Sequence, residues 1–464
     1  SRNIKSGWKN IFQVLNIAAR DNTDTVVVLA FDLVKKLVEE TLLQITSDAS
    51  HGHVAYADCV GCLTGFARNK HNVQMSLESV RLMTLCTQIT LQSQVAHNAA
   101  VSAALAAGGG AVTVATAPAG GESGGVDNGV VVFTDSEQHV RLWFPVLTGL
   151  SSLAADSRAE LRATALSALF SILMHYGHHF SAQLWGIVSH GVLLPLFEDV
   201  HHLEEVADTA WLRTQLAPAI DNMTQLCVAF MPAIAQPLAD FLKVLGTCIG
   251  QDEAMAEMGI TAINKLIADA GAKFSDDMWT IVCRILVRVF QESAKDPFAE
   301  AEPTQESSED EPAHRPPSVG AMSMEEKLHI MGQRHRIRML LFRLVQDLCS
   351  LHSDALGEAQ LTQLLNLLAP NTKTTTSSQG TPATRGPVLP PGSTKEQLKM
   401  MHEEWAEASR SEVRFLLRIY RQATPEPEAF LEVRLVERIV EVFSKYTAPL
   451  ESLGAHSMGE DDGG

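Results

Sequence analysis

Apolar residues that return every third or fourth position, in segment after segment, constrain this chain more than anything else in it. In the first segment Trp8, Ile11, Phe12, Leu15 and Ala19 fall on one stripe, and in the second Val27, Val28, Phe31, Val34, Val38 and Leu42 fall on another. A period near 3.6 belongs to amphipathic helices that bury one face. Polar breaks at 21–24 and 51–53 follow these segments, with Asp24 the expected N-cap of the second helix. The same reading predicts helices over 54–68, 76–91, 137–154, 157–175, 181–197, 204–230, 234–249, 252–270 and 275–292. Further helices are expected over 324–352, 357–368, 395–421 and 426–446. Hairpins then begin roughly every 40–50 residues, the period of HEAT and armadillo arrays. One such unit cannot bury its apolar face alone, so neighbours must stack. The expected fold is all-α: an α-solenoid of HEAT/armadillo-like helical hairpins with disordered linkers.

Composition agrees with that class. Hydrophobic residues make up 46% of the 464 and aromatics only 6%, so the core is aliphatic and suits helix-on-helix packing. Three stretches break the helical pattern. Residues 93–136 carry Gly-Ala runs and offer too little apolar surface to offset ordering entropy, which predicts a flexible insertion. Two β-branched patches inside it, 112–114 and 130–133, are candidates for a transient hairpin. Residues 295–323 form an acidic Pro/Ser linker and 371–394 a Pro/Thr/Ser linker. The expected organisation is therefore helical modules at 1–92, 137–294 and 324–370, a C-terminal hairpin at 395–450 and an acidic tail at 451–464. The chain opens at Ser1 rather than Met, as expected of a piece of something longer or of a processed product.

The net charge of −18 repels phosphate backbones, so no nucleic-acid partner is expected. No signal-peptide pattern and no apolar run of spanning length is seen, and the seven cysteines are an odd set scattered through apolar stretches. That usage fits reduced thiols in the cytosol.

Several motifs suggest chemistry. Cys59 and Cys62 with His51, His53 and His71 have the residue types of a zinc set, but the two cysteines share a helical stripe with Leu63 and Phe66, which reads as packed thiols. Ser123 sits in a G-x-S-x-G match that lacks the strand and helix a nucleophile elbow needs. His175, His178 and His179 fall at a helix end, where histidine suits the macrodipole, and His201 and His202 mark another break. Asn222-Met223-Thr224 is a sequon by letter only in a cytosolic chain. No catalytic, cofactor-binding or metal-binding residue is assigned.

Charge supplies the candidates for partner binding. Lys327, Arg334, Arg336, Arg338 and Arg343 alternate with Leu328, Ile330, Ile337 and Leu341 on one predicted helix, a pattern that reads first as a packed helix with a solvated basic face and, as the alternative, as a surface for an acidic partner or anionic lipid. The assignment names Arg334, Arg336 and Arg338 there, and Lys5 and Lys9 beside Trp8. Upstream of the basic helix lies an acidic serine site, Ser307 and Ser308 followed by Glu309, Asp310 and Glu311, whose phosphorylation would clamp onto it. Trp8, Trp143, Trp185 and Trp279 are expected as core anchors.

Five stretches also occur in a recognisable order. They are Ser6 to Phe12; Asp58 to Leu63 with Phe66; Trp143 to Leu147, then Tyr176-Gly177-His178 with Trp185; Lys273-Phe274-Ser275 with Trp279 and Cys283; and Leu416 to Tyr420. Together they resemble the region downstream of the catalytic Sec-seven domain in the large, brefeldin A-inhibited Arf guanine nucleotide-exchange factors of the trans-Golgi network. The resemblance implies a non-catalytic helical-repeat region that regulates and recruits the catalyst. Its implied partners are Golgi small GTPases in the GTP state, the upstream catalytic half of its own chain and a second copy, with peripheral membrane contact on the cytosolic face of the trans-Golgi network. No stretch matches the Sec-seven domain itself, and the Gly-Ala insertion departs from the family pattern. The runner-up is a helical Golgi trafficking adaptor without exchange activity. A hydrolase built on Ser123 or the histidines would need an α/β sheet.

Overall fold

The computed structural model describes residues 7–46, 52–70, 72–107, 133–198, 209–294, 324–352 and 355–368, with six further positions between 399 and 414. The chain divides into two compact units after Asp240. The described residues are helical apart from turns and one isolated bridge between Phe133 and Phe180.

The first unit contains α1 (Trp8–Ala18), α2 (Asp24–Thr46), α3 (Gly52–Arg68), α4 (Val73–Ala107), α5 (Glu137–Leu153), α6 (Ala159–Tyr176), α7 (Ala182–Val188) and α8 (Thr209–Phe230). Helix α3 packs on α1 and α5, α4 packs on α2 and α6, and α6 meets α8. Those contacts make two parallel rows, α1-α3-α5 and α2-α4-α6, which is a stack of hairpins. The predicted stripes are the buried ones: Phe12, Leu15 and Ala19 on α1, and Val27, Phe31, Val34, Val38 and Leu42 on α2. Val28 is exposed and Trp8 half-exposed, so neither belongs to the core. Trp8 instead stacks on Phe12 with ring centroids 6.1 Å apart.

Polar side chains tie the hairpin turns to one another. Asn69 Nδ2 donates to Ala19 O at 2.9 Å, joining the end of α3 to the end of α1. Arg158, in the turn before α6, donates to Ala67 O at 2.7 Å, to Asn69 O at 2.9 Å and to Ser76 Oγ at 2.9 Å. Asp156 holds the guanidinium from the other side at 2.9 Å. Helix C-termini leave carbonyls without partners, and one arginine here serves two of them from the next hairpin.

Three expectations need correction. Asp24 is the first residue of α2 rather than its cap: the N–H groups of Val26 and Val27 bond to Thr23 O, and Asp21 Oδ1 accepts from Thr23 N at 2.7 Å. Asp24 then lies in the first turn, where its charge suits the helix dipole. Helix α4 does not stop at 92 but continues to Ala107, because residues 96–107 are dominated by alanine, the best helix former, and the glycine run begins only at 108. At the other end of the insertion Phe133 is fully buried. Its N–H donates to His179 O at 2.7 Å and its carbonyl accepts from Ser181 N at 2.8 Å. The helical module therefore begins before 137. Residues 112–114 lie outside the described residues.

The second unit begins within α9 (Ala235–Ile249) and contains α10 (Glu253–Ala270), α11 (Asp276–Ala294), α12 (Met324–His352) and α13 (Glu358–Leu368). Helix α10 packs on α12, and α11 packs on α12 and α13, the same two-row plan. Asp252 caps α10 by accepting from Met255 N at 3.1 Å. Of the C-terminal hairpin expected over 395–450, only scattered positions up to 414 are described.

One structural device occurs in both units. The pattern G-x-x-F-S-x-x-x-W runs from Gly177 to Trp185 and again from Gly271 to Trp279. Each glycine starts a 3-10 turn after a long helix, each serine caps the next helix, and each tryptophan is fully buried. A Cβ on Gly177 would stand 2.5 Å from the Trp185 ring, and one on Gly271 would stand 2.6 Å from His352 Nε2. Glycine is what allows Trp185 in one case, and His352, which lies beside the Trp279 ring, in the other, to come so close.

Candidate partner-binding surfaces

The chemistry-bearing residues serve packing. All seven cysteines are free and buried. Cys62 Sγ donates to Phe12 O at 2.8 Å, and burial pushes its thiol up to about 12. Cys59 is fully buried beside Cys86, and the hydrogen bond between the two thiols, then burial, raises its pKa. His178 is held below its ordinary value by burial first and then by His179 and His175. No group of three or more potential metal ligands occurs among the described residues. Thr224 of the sequon is buried and donates to Ile220 O at 2.7 Å. His51, His71, Ser123, His201, His202, Ser307 and Ser308 lie outside the described residues.

Two concave surfaces stand out among the described residues of the first unit. The larger is a groove of about 910 Å³ between α6 and α8, lined by Ala159, Ala163, Ser167, Met174 and Leu216 among others. Three of its polar side chains bond to backbone: Ser151 Oγ donates to Val192 O, Ser152 Oγ to Gly149 O and Arg162 Nη1 to Asp156 O. Groups satisfied by backbone serve the fold, and an apolar trough of that size accommodates side chains of a protein partner.

The smaller is a polar basin of about 530 Å³ at the turns that follow α1 and α3. Arg20 comes from the first turn, Arg68 and Lys70 from the second, and all three are exposed. The one carboxylate in the lining, Asp21, is engaged with Thr23 N–H, which holds it below the usual carboxylate range. Two guanidinium groups and an ammonium around one cavity favour a carboxylate or phosphate ligand. Reading the sequence alone misses this cluster, because its cations lie on different hairpins.

The residues assigned from the sequence are placed as follows. Lys9 is exposed on α1 and pulls down the carboxyl of Asp58, whose burial nevertheless pushes it up. Lys5 lies outside the described residues. Arg336 is exposed on α12 and pairs with Glu253 Oε1 at 2.6 Å. Arg334 and Arg338 are half-buried and engaged within the protein. The basic helix is thus a packed element of the second unit, with Ile337 and Leu341 in the core. Trp143, Trp185 and Trp279 are core anchors, as predicted.

A family model described as Mon2/Sec7/BIG1-like, HDS, matches residues 1–36, which hold α1 and the first half of α2. The chain is 30% identical over 313 residues to brefeldin A-inhibited guanine nucleotide-exchange protein 2 of Arabidopsis thaliana, covering 63% of this chain and 17% of that protein. It is 31% identical over 293 residues to protein 3 of the same organism, covering 60% and 16%. Over 338 residues it is 25% identical to brefeldin A-inhibited guanine nucleotide-exchange protein 1 of Mus musculus, covering 72% and 16%. The chain spans about a sixth of the length of these relatives. Among solved structures, a circular tandem repeat protein with novel repeat topology aligns at a TM-score of 0.28 and 13% identity, over 98% of this chain and 99% of that one. No helix among the described residues is long and apolar enough to cross a membrane.

Proposed function

We propose that this chain, a relative of the brefeldin A-inhibited guanine nucleotide-exchange proteins, is a non-catalytic regulatory and scaffolding region of a large Arf exchange factor. The observation that carries the reading is the similarity to those proteins over 313 residues. The two-row helical stack supports it, because such arrays act through extended surfaces. In this reading the chain works at the cytosolic face of the trans-Golgi network. It binds Golgi small GTPases in the GTP state, the catalytic half of its own polypeptide and a second copy, with peripheral membrane contact. A GTPase that binds the arrangement in which the catalyst is free raises exchange by shifting populations, in proportion to its differential affinity for the two states.

The basin of Arg20, Arg68 and Lys70 suits an acidic side-chain cluster on such a partner, and Arg336 can exchange Glu253 for a partner's acid at small cost, since an exposed pair is worth about 0–1 kcal/mol. The test is capture of Golgi small GTPases, each loaded with a non-hydrolysable GTP analogue or with GDP, on the immobilised chain. The expected result is one or more GTP-dependent partners whose binding falls when Arg20, Arg68 and Lys70 are replaced by Ala. Equal binding in both nucleotide states would reject GTPase sensing. A helical trafficking adaptor without exchange activity is the second reading, favoured by the breadth of a family description that names three groups. It predicts the same capture but no effect on exchange by a linked catalytic domain.

A further inference from the structure

The first hairpin carries more apolar surface than its own stack uses. Among the described residues, most of the large hydrophobic side chains left exposed lie on α1 and α2: Leu29 is 71% exposed, Ile17 67% and Val14 64%, with Val26, Leu33 and Leu43 also in solvent. They are not scattered. Val14 and Ile17 form one helical step on α1, and Val26, Leu29 and Leu33 form two steps on α2. At 100° per residue these stripes sit roughly 130–160° around each helix from the stripes already buried against α3 and α4. Both helices are therefore apolar on two sides, and the second side of each lies in solvent.

A helix at the end of an array has no reason to be apolar on its outer face, and terminal repeats carry a polar one. Helix α3 shows what an interior position requires: flanked by α1 and α5, it buries Tyr56, Cys59, Val60, Leu63 and Phe66 over a broad arc. Hairpin α1–α2 has the residues of an interior repeat and the surroundings of a terminal one.

We propose that the outer face of α1–α2 is the docking surface for a further helical hairpin of the same polypeptide, from the residues that precede Ser1. Two observations favour that occupant. The i, i+3, i+7 spacing of the exposed stripe on α2 is the register into which a helix ridge fits. Moreover, the matched stretches make up only 16–17% of the relatives, which are thus about four times as long as this chain, so a longer polypeptide of the same plan has residues to supply it. The inference rests on reading the chain as one region of a longer exchange factor and adds the surface through which that region is continued.

Hydrogen exchange tests it without reference to GTPase binding or exchange activity. The 464-residue chain is compared with the longer polypeptide that carries the preceding residues, each as the natural sequence and as the Ile17→Asp, Leu29→Asp double variant. In the natural sequence, amides of α1 and α2 should exchange about tenfold more slowly in the longer polypeptide, because a docked hairpin closes their opening route. The double variant should abolish that gain and leave exchange in the 464-residue chain nearly unchanged, since both side chains are already in water there. Equal exchange with and without the preceding residues overturns the proposal. So does protection that survives the double variant, or a 464-residue chain that is a dimer dispersed by the double variant, which would make a second copy the occupant. Protection without GTPase capture would retain the docking surface and reject the sensing role; capture without protection would do the reverse.

Discussion

Arg158 gives the sharpest handle on how the hairpins are held in register. Its guanidinium reaches back to the preceding hairpin and supplies Ala67 O, Asn69 O and Ser76 Oγ, while Asp156 balances its charge, and the side chain is only 20% exposed. Arg158→Ala leaves Ala67 O without its donor, Asn69 O with only Ser76 Oγ at 3.2 Å, and Asp156 without its cation. Hydrogen bonds to charged groups are worth about 1.5–3 kcal/mol each when unmade, and water reaches part of this site, so the net cost is about 2–4 kcal/mol. For a unit of this size that lowers the melting temperature by roughly 4–16 °C. Arg158→Lys keeps the charge but not the fork, and should lose about half as much. Calorimetry reads the shift, and hydrogen exchange should locate the loosening at 67–76 and 156–162. A second readout follows from Asp156, which Arg158 holds below its ordinary 3.8. Stability from that pair is present above pH 3.8 and is lost as pH falls through the lower folded value, so the variant should lose this acid-sensitive component. A melting temperature within about 2 °C of the natural chain would refute the view that this arginine joins the hairpins.

Other substitutions read other joints. Glu78, bonded to Arg81 and then to Lys35, has its pKa lowered from 4.5 to about 2, so its contribution is present above pH 4.5 and disappears as pH falls toward 2. Glu78→Gln should cost about 1–2 kcal/mol at pH 7 after solvent screening and nothing near pH 2, measured by denaturant titration at both. His139 is held below its ordinary 6.5 by burial, and its Nδ1 accepts from Thr134 N at 2.9 Å. The folded state resists the proton, so stability should rise with pH between the lowered folded value and 6.5, a slope that His139→Gln should remove. Gly177→Ala drives a methyl into Trp185 and Phe230 and should cost about 1–3 kcal/mol, with altered tryptophan fluorescence.

The helices were legible in the sequence because each writes its buried face at short range: Phe12, Leu15 and Ala19, or Val34, Val38 and Leu42, need no partner to be recognised. Cys59 and Cys62 were legible as packing residues for the same reason, since they share a stripe with Leu63 and Phe66. What depends on distant partners was hidden. Arg158 lies 82 to 91 residues from the groups it serves, and no local pattern announces them. Arg336 reads as a free cation until Glu253, 83 residues away, is seen beside it. The basin has the same character, with Arg20 from one turn and Arg68 and Lys70 from the next. Asp24 reads as a cap from sequence because Asp21, Thr23 and Asp24 all suit that role, and only the bonds from Val26 N and Val27 N to Thr23 O place the start of α2 after Thr23. The recurrence of G-x-x-F-S-x-x-x-W was open to inspection, but it emerges only when two windows far apart are laid together.

The central claim, that this helical stack regulates nucleotide exchange by binding and carries out none itself, is tested most directly by fluorescence-monitored release of labelled GDP from Arf. Three samples are compared: the longer polypeptide, the same polypeptide without these 464 residues, and the 464-residue chain alone, each with and without a GTP-loaded small GTPase captured by the chain. The account predicts no acceleration by the chain alone, exchange by both longer proteins, and stimulation by the GTPase only where the chain is present. Acceleration by the chain alone, or equal stimulation after its removal, would contradict it.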